Sequence, residues 1–245
     1  MEVHHPHHPT HKKKWPEYIL EFFMLFLAVT LGFFAENIRE HMAENAKKNE
    51  LIKSVSTDLK RDLNQLTFHK EFDLNKIKVC DSLIEILKKD PSKVDQQEYY
   101  RLLSNVVMYW HFIPNNRSRI DAESKGYLSI KENDELAQYI SKYNFFLFDL
   151  EDVTNTFGRT SEKISMEKMK FMVDPELYDK AFRYPSVQLH HKMGIEKIKQ
   201  EDLKEYRLFL TETKFGFQIA LYNIDSLQFY ANKAVAFIDK EYGKE

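Results

Sequence analysis

The side chains best equipped for chemistry fall into a few groups. His4, His5, His7, His8 and His11 crowd the first residues. Imidazoles at that density can bind Zn²⁺ or Ni²⁺, but Pro6 and Pro9 between them oppose a fixed geometry. Glu21 is the one charged residue in an 18-residue apolar run, and an ionisable group there points to a proton path or a helix contact. His111 is isolated, and His190-His191 lacks a third ligand, so no metal site is expected. The single cysteine, Cys80, lies in an apolar helical stripe and reads as a small core residue. The 38 acids are spread along helix faces, and HExxH, GxSxG, Walker and GxGxxG patterns are absent. The expectation is a non-enzyme without cofactor.

The element that must carry Glu21 is the run Tyr18 to Ala35, YILEFFMLFLAVTLGFFA. A helix of this length covers a bilayer core of about 30 Å. A cleaved signal has an apolar core of about 7–15 residues and a small-residue cleavage site. This core is longer, and Ala35 lacks a clean A-x-A partner, so a retained anchor is expected. Lys12, Lys13 and Lys14 precede it, and Arg39 is the nearest basic residue after it. That close flank favours a cytoplasmic N-terminus and an exported C-terminal domain, although Lys47, Lys48 and Lys53 nearly balance the wider window.

Steps of four and three from Glu21 reach Leu25, Ala28, Gly32, Ala35 and Arg39. One helix face therefore carries a carboxylate and three small residues. Ala28-x-x-x-Gly32 lets another helix approach closely, while Phe23, Phe26, Phe33 and Phe34 suit lipid. Glu21, Ala28, Gly32 and Ala35 are the expected membrane-helix interface.

A net charge of −2 gives no reason to expect nucleic acid or acidic lipid as a partner. Six Gly, seven Pro and 30% charged residues point to long helices. Apolar residues recur by threes and fours at Ile52, Val55, Leu59, Leu63 and Leu66, then at Ile77, Cys80, Ile84 and Leu87. Residues His69 to Asn75 blur that stripe and suggest a bend. Asp90-Pro91 should stop this helix, which is expected to continue the membrane helix without a break. A short helix over Asp95 to Val107 and another over Arg119 to Leu128 follow. A long one begins at a cap on Asn133 or Asp134 and runs to about 172, with Gly158 as an interior weak point. The last covers about 200–240, after a connection holding Tyr184-Pro185 and Gly194. The predicted fold is all-α: residues 1–14 a cytoplasmic tail, 15–36 a transmembrane helix, and 37–245 an elongated antiparallel helical bundle in the periplasm.

Tyr109, Trp110, His111 and Phe112, next to Arg117 and Arg119, have the composition of a contact surface. The plainer reading is a hydrophobic plug at one end of the bundle. Tyr109, Trp110 and Phe112 are kept as the candidate partner surface.

Two stretches resemble a family of uncharacterised single-pass membrane proteins of Bacteroidota. KKKWPEYILEFFMLFLAVTLGFFAENIREH, Lys12 to His41, is similar to that family's anchor. SRIDAESKGYLSIKENDELAQYISKYN, Ser118 to Asn144, is a looser match, with Tyr143-Asn144 where a tyrosine pair is usual. The resemblance implies an inner-membrane anchor with a helical periplasmic domain, and it carries no activity. The function expected is a scaffold or interaction subunit of a cell-envelope assembly, in contact with the lipid bilayer. A second copy, a multi-span membrane protein, or both would be its partners. The alternatives are an axial subunit of an ion-driven motor or channel using Glu21, and a periplasmic ligand-sensing module.

Overall fold

The computed structural model describes residues 14–90, 93–106, 109–129, 135–158, 163, 167, 176, 179 and 198–243. Among them the regular elements are helical: α1 (Trp15–Ile86), α2 (Gln96–Val106), α3 (Arg117–Ser124), α4 (Glu135–Val153) with a π turn at Thr154–Gly158, and α5 (Gln200–Tyr242). The all-α reading holds. The expected tail, the cap at Asn133 or Asp134, Tyr184-Pro185, His190-His191 and Gly194 lie outside the described residues.

The chain divides into two compact units, residues 1–50 and 51–245. The first contains the start of α1, where Tyr18 to Ala35 is almost wholly exposed. It is the one described helix long and apolar enough to cross a membrane, a test that a signal sequence near an N-terminus also passes.

The second unit is a bundle. From Ile52 to Leu83 one side of α1 is buried, and α5 runs antiparallel along it. Cross-links fix the register. Asp239 accepts from Ser56 at 3.0 Å and from Lys60 at 2.9 Å, Lys70 pairs with Asp225 at 2.6 Å, and Lys214 with Asp81 at 2.6 Å. Arg207 Nη1 donates to the Leu87 carbonyl at 2.9 Å, which satisfies an acceptor left over at the end of α1. Two apolar clusters fill the interior. In one, α2 lays Tyr99, Leu102 and Leu103 against Leu83 of α1 and Tyr206 and Leu210 of α5. In the other, α4 lays Ile140, Tyr143 and Leu150 against Leu59 and Leu66 of α1 and Ile224 and Leu227 of α5.

Local chemistry sets the short elements. The Asp95 carboxylate accepts from the Gln97 amide at 3.0 Å and caps α2. Helix α3 closes on Gly126, whose φ of +74° suits a residue without Cβ. Tyr127 N then donates to the Ala122 carbonyl at 2.9 Å in a Schellman closure.

α1 is helical through residues 69–75, where the blurred stripe suggested a bend. Of the residues expected to continue the fourth helix to 172, Lys163 and Glu167 are helical and the others past Gly158 lie outside the described residues. That helix is regular α to Val153, and its next turn widens to a π turn. There α5 comes close: a Cβ on Gly216 would lie 3.0 Å from Phe157.

Candidate functional site

The residues expected as a membrane-helix interface share one face of α1, as their spacing requires. Glu21, Ala28, Gly32 and Ala35 are all exposed, and no atom lies within 4 Å of where a Gly32 Cβ would stand. Thr30, on the opposite side of the helix from Glu21, turns its hydroxyl back to the Phe26 carbonyl at 2.7 Å, so its polarity is satisfied within the helix.

Tyr109, Trp110 and Phe112 sit midway along the α1/α5 pair rather than at an end of the bundle. Tyr109 stacks on Phe217 with ring centroids 5.4 Å apart. Trp110 meets Phe68 edge-on at 5.2 Å, and Phe112 meets the His69 ring at 5.7 Å. Trp110 remains 56% exposed, whereas Tyr109 and Phe112 are half-buried. The three residues divide the labour, two facing inward and one outward.

Behind them lies a polar belt that separates the two apolar clusters. His69, Asp73 and Lys76 of α1 and Thr213 and Asn223 of α5 are all buried there. Burial pushes the Asp73 carboxyl up to about 7, against the pull of Lys76. Burial likewise pushes the Lys76 ammonium down to about 8, and keeps the His69 imidazole below its usual value. Lys76 Nζ donates to the Asn105 carbonyl and lies 4.7 Å from the centre of the Phe72 ring. A cavity bordered by His69, Asp73, Tyr109, Phe112, Thr154 and Gly216 leaves about 30 Å³. That is room for a water molecule, not for an aromatic ring. It adjoins an open groove with His111, Asn116, Glu151 and Asn155 on its walls.

A second buried node lies about three turns of α1 away. Asp62 is fully buried and its carboxylate accepts three hydrogen bonds: from the Asn115 amide at 2.8 Å, the Asn115 Nδ2 at 2.8 Å and the Tyr143 hydroxyl at 2.7 Å. Arg119, also buried, lies 4.9 Å from the centre of the Tyr143 ring, and its Nη1 has no hydrogen-bond partner among the described residues. Burial raises the Asp62 pKa, while the three donors and Arg119 oppose the rise. This node ties α1, the 109–116 segment, α3 and α4 together.

The arrangement can hold the bundle in one register. Burial also raises the Cys80 thiol to about 12, which leaves it protonated and unreactive. Among the described residues no three His, Cys, Asp or Glu side chains are grouped to hold a metal.

Sequence reasoning missed Asp62, His69, Asp73 and Lys76 because it followed the apolar residues. Leu63 and Ile77 are only partly buried, while their neighbours Asp62 and Lys76 occupy the centre of the packed face. The signal was present in the blurred stretch: polar residues at 62, 69, 73 and 76 keep helical spacing with Leu59, Leu66, Cys80 and Leu83.

Fold and site together define a helical bundle joined to one apolar, span-length helix. No family model, curated protein or solved structure matches the chain.

Proposed function

We propose that this chain is a non-enzymatic, membrane-anchored interaction subunit, a scaffold of a cell-envelope assembly. Tyr18 to Ala35 would hold it in an inner membrane, with the bundle on the periplasmic side and the lysine-flanked N-terminus in the cytoplasm. One observation carries this reading: none of the residues in the apolar window of α1 is buried. A surface so apolar needs another phase or another protein to cover it. The buried polar groups of the bundle support a structural role, since they hold its elements together. The resemblance of Lys12 to His41 to a Bacteroidota anchor agrees.

The test is membrane fractionation with an alkaline wash, then purification of the full chain in mild detergent with native mass measurement. Retention in the washed membrane with a defined oligomer or a stoichiometric multi-span partner supports the reading. Recovery in the soluble fraction sinks it. The motor alternative has its own test: Glu21→Gln should abolish function there, and a silent substitution removes that alternative. Ligand sensing has less support, because the enclosed space beside Asp73 is only about 30 Å³ and the adjoining groove of about 410 Å³ is open to solvent.

A further inference from the structure

The outer face of α5 repeats with a period of seven. Leu208, Phe215, Tyr222 and Phe229 are 60%, 57%, 65% and 55% exposed, although each is large and apolar or aromatic. Single exposed apolar residues on a surface are ordinary. Four in strict register are different: they form one ladder about 31 Å long at 1.5 Å per residue. A spacing of seven keeps a seam on one side of a helix if that helix supercoils gently around a partner. The ladder is widened on its α4 side, where Phe146 meets Tyr222 edge-on at 6.0 Å and stacks on Tyr230 at 5.7 Å.

We propose that this ladder is the contact between two copies of the chain, α5 against α5, parallel and in register. The inference rests on the anchored reading above. Two copies held in one bilayer are related by a two-fold along the membrane normal, so their α5 helices point the same way along it. Parallel pairing sets Leu208 on Leu208 of the second copy and each ring on its equivalent, as an isologous contact requires. The flanks agree with this. Lys204, Thr211, Gln218, Asp225 and Asn232 line one side of the ladder. Glu205, Glu212, Ile219, Ser226 and Lys233 line the other. Brought together level by level, Lys204 meets Glu205 of the second copy, and between Lys204 and Lys233 no level opposes like charges; Glu201, one step above Leu208, is the like-charged end of the ladder. The polar residues between the rungs make this a narrow seam, suited to a reversible dimer rather than an obligate one.

The test is single-cysteine cross-linking of the full chain in its own membranes, with Leu208, Phe215, Tyr222 and Phe229 replaced by Cys one at a time. Cys80 can stay, because it is buried and its thiol is held protonated. Lys78→Cys, an exposed site on α1, is the control. Disulfide-linked dimer at all four positions, at least five-fold above the control, is the expected result. Phe215→Glu with Tyr222→Glu should then remove the dimer formed through Leu208→Cys. Three results overturn the proposal: no dimer at any rung, dimer only when Leu208→Cys meets Phe229→Cys, or linkage only to a different protein. An alkaline wash of the same membranes separates the two failures. Chain lost from the pellet breaks the anchored reading, whereas chain retained without cross-links breaks only the pairing.

Discussion

Helix α1 carries opposite solutions at its two ends. Between Tyr18 and Ala35 its large apolar side chains are outside, with Phe33 74% and Leu25 70% exposed. Between Asp62 and Lys76 four polar side chains, Asp62, His69, Asp73 and Lys76, are inside, with Asp62 and Lys76 fully buried. The first end exposes an apolar surface long enough to cross a membrane. The second carries charges in an interior that penalises them, and offsets part of the penalty with hydrogen bonds. Helical geometry is the same at both ends, so what differs is only which medium the side chains meet. Apolar pattern alone therefore locates a helix without saying which way it faces.

The strongest way to break the contrast is at Asp62. Asp62→Ala would leave the Asn115 amide and side chain and the Tyr143 hydroxyl without their acceptor. The bundle should lose about 3–5 kcal/mol, read by denaturant unfolding of the full chain in detergent. Tyr143→Phe removes one of the three donors and should cost about 1–3 kcal/mol. If both variants unfold like the parent, the node is not holding the bundle.

Titration of the belt comes next. Asp73 binds its proton more tightly in the folded chain than in the unfolded one, so stability should fall as pH rises from about 4 to about 7. Lys76 binds its proton less tightly when folded, so stability should recover above about 8 as both states lose it. The resulting minimum near pH 7–8 should be a few kcal/mol deep at most. Asp73→Asn should flatten the acid limb and leave the alkaline one. A melting temperature that does not change with pH would count against burial of either group.

A smaller effect is expected where α5 touches the π turn. Gly216→Ala brings a methyl to 3.0 Å from Phe157 and should cost about 1–2 kcal/mol through crowding. At the exposed end, a Cβ on Gly32 would meet no neighbouring side chain within 4 Å, and Gly32→Leu should leave bundle unfolding unchanged. If Ala28 and Gly32 form a helix seam in the membrane, the same substitution should instead reduce cross-linking between anchors. A drop in bundle stability would show that this face is covered after all.

Much of the fold was legible because helices advertise themselves. Asp95, Gly126 and the proline after Asp90 mark ends close to those observed. The start and end of α5 fall within two residues of the expected 200–240. The fourth helix was harder. Its apolar spacing continues past Val153, but the turn Thr154–Gly158 is a π turn packed on Gly216 of α5, and no local pattern encodes that packing. The aromatic stretch was recognised as special yet placed at the wrong level, since its position depends on Phe68, His69 and Phe217, residues far away in sequence.

By itself, the sequence determined that this chain is helical and that one helix carries a span-length apolar surface. Both properties follow from local composition and from periods of three and four. Only the tertiary structure decided which side of α1 became the interior. Packing against α4 and α5 turned Asp62, Asp73 and Lys76 inward in place of Leu63 and Ile77. A rotation of one residue about a helix axis leaves every local propensity unchanged, and only the partners can choose between the two faces.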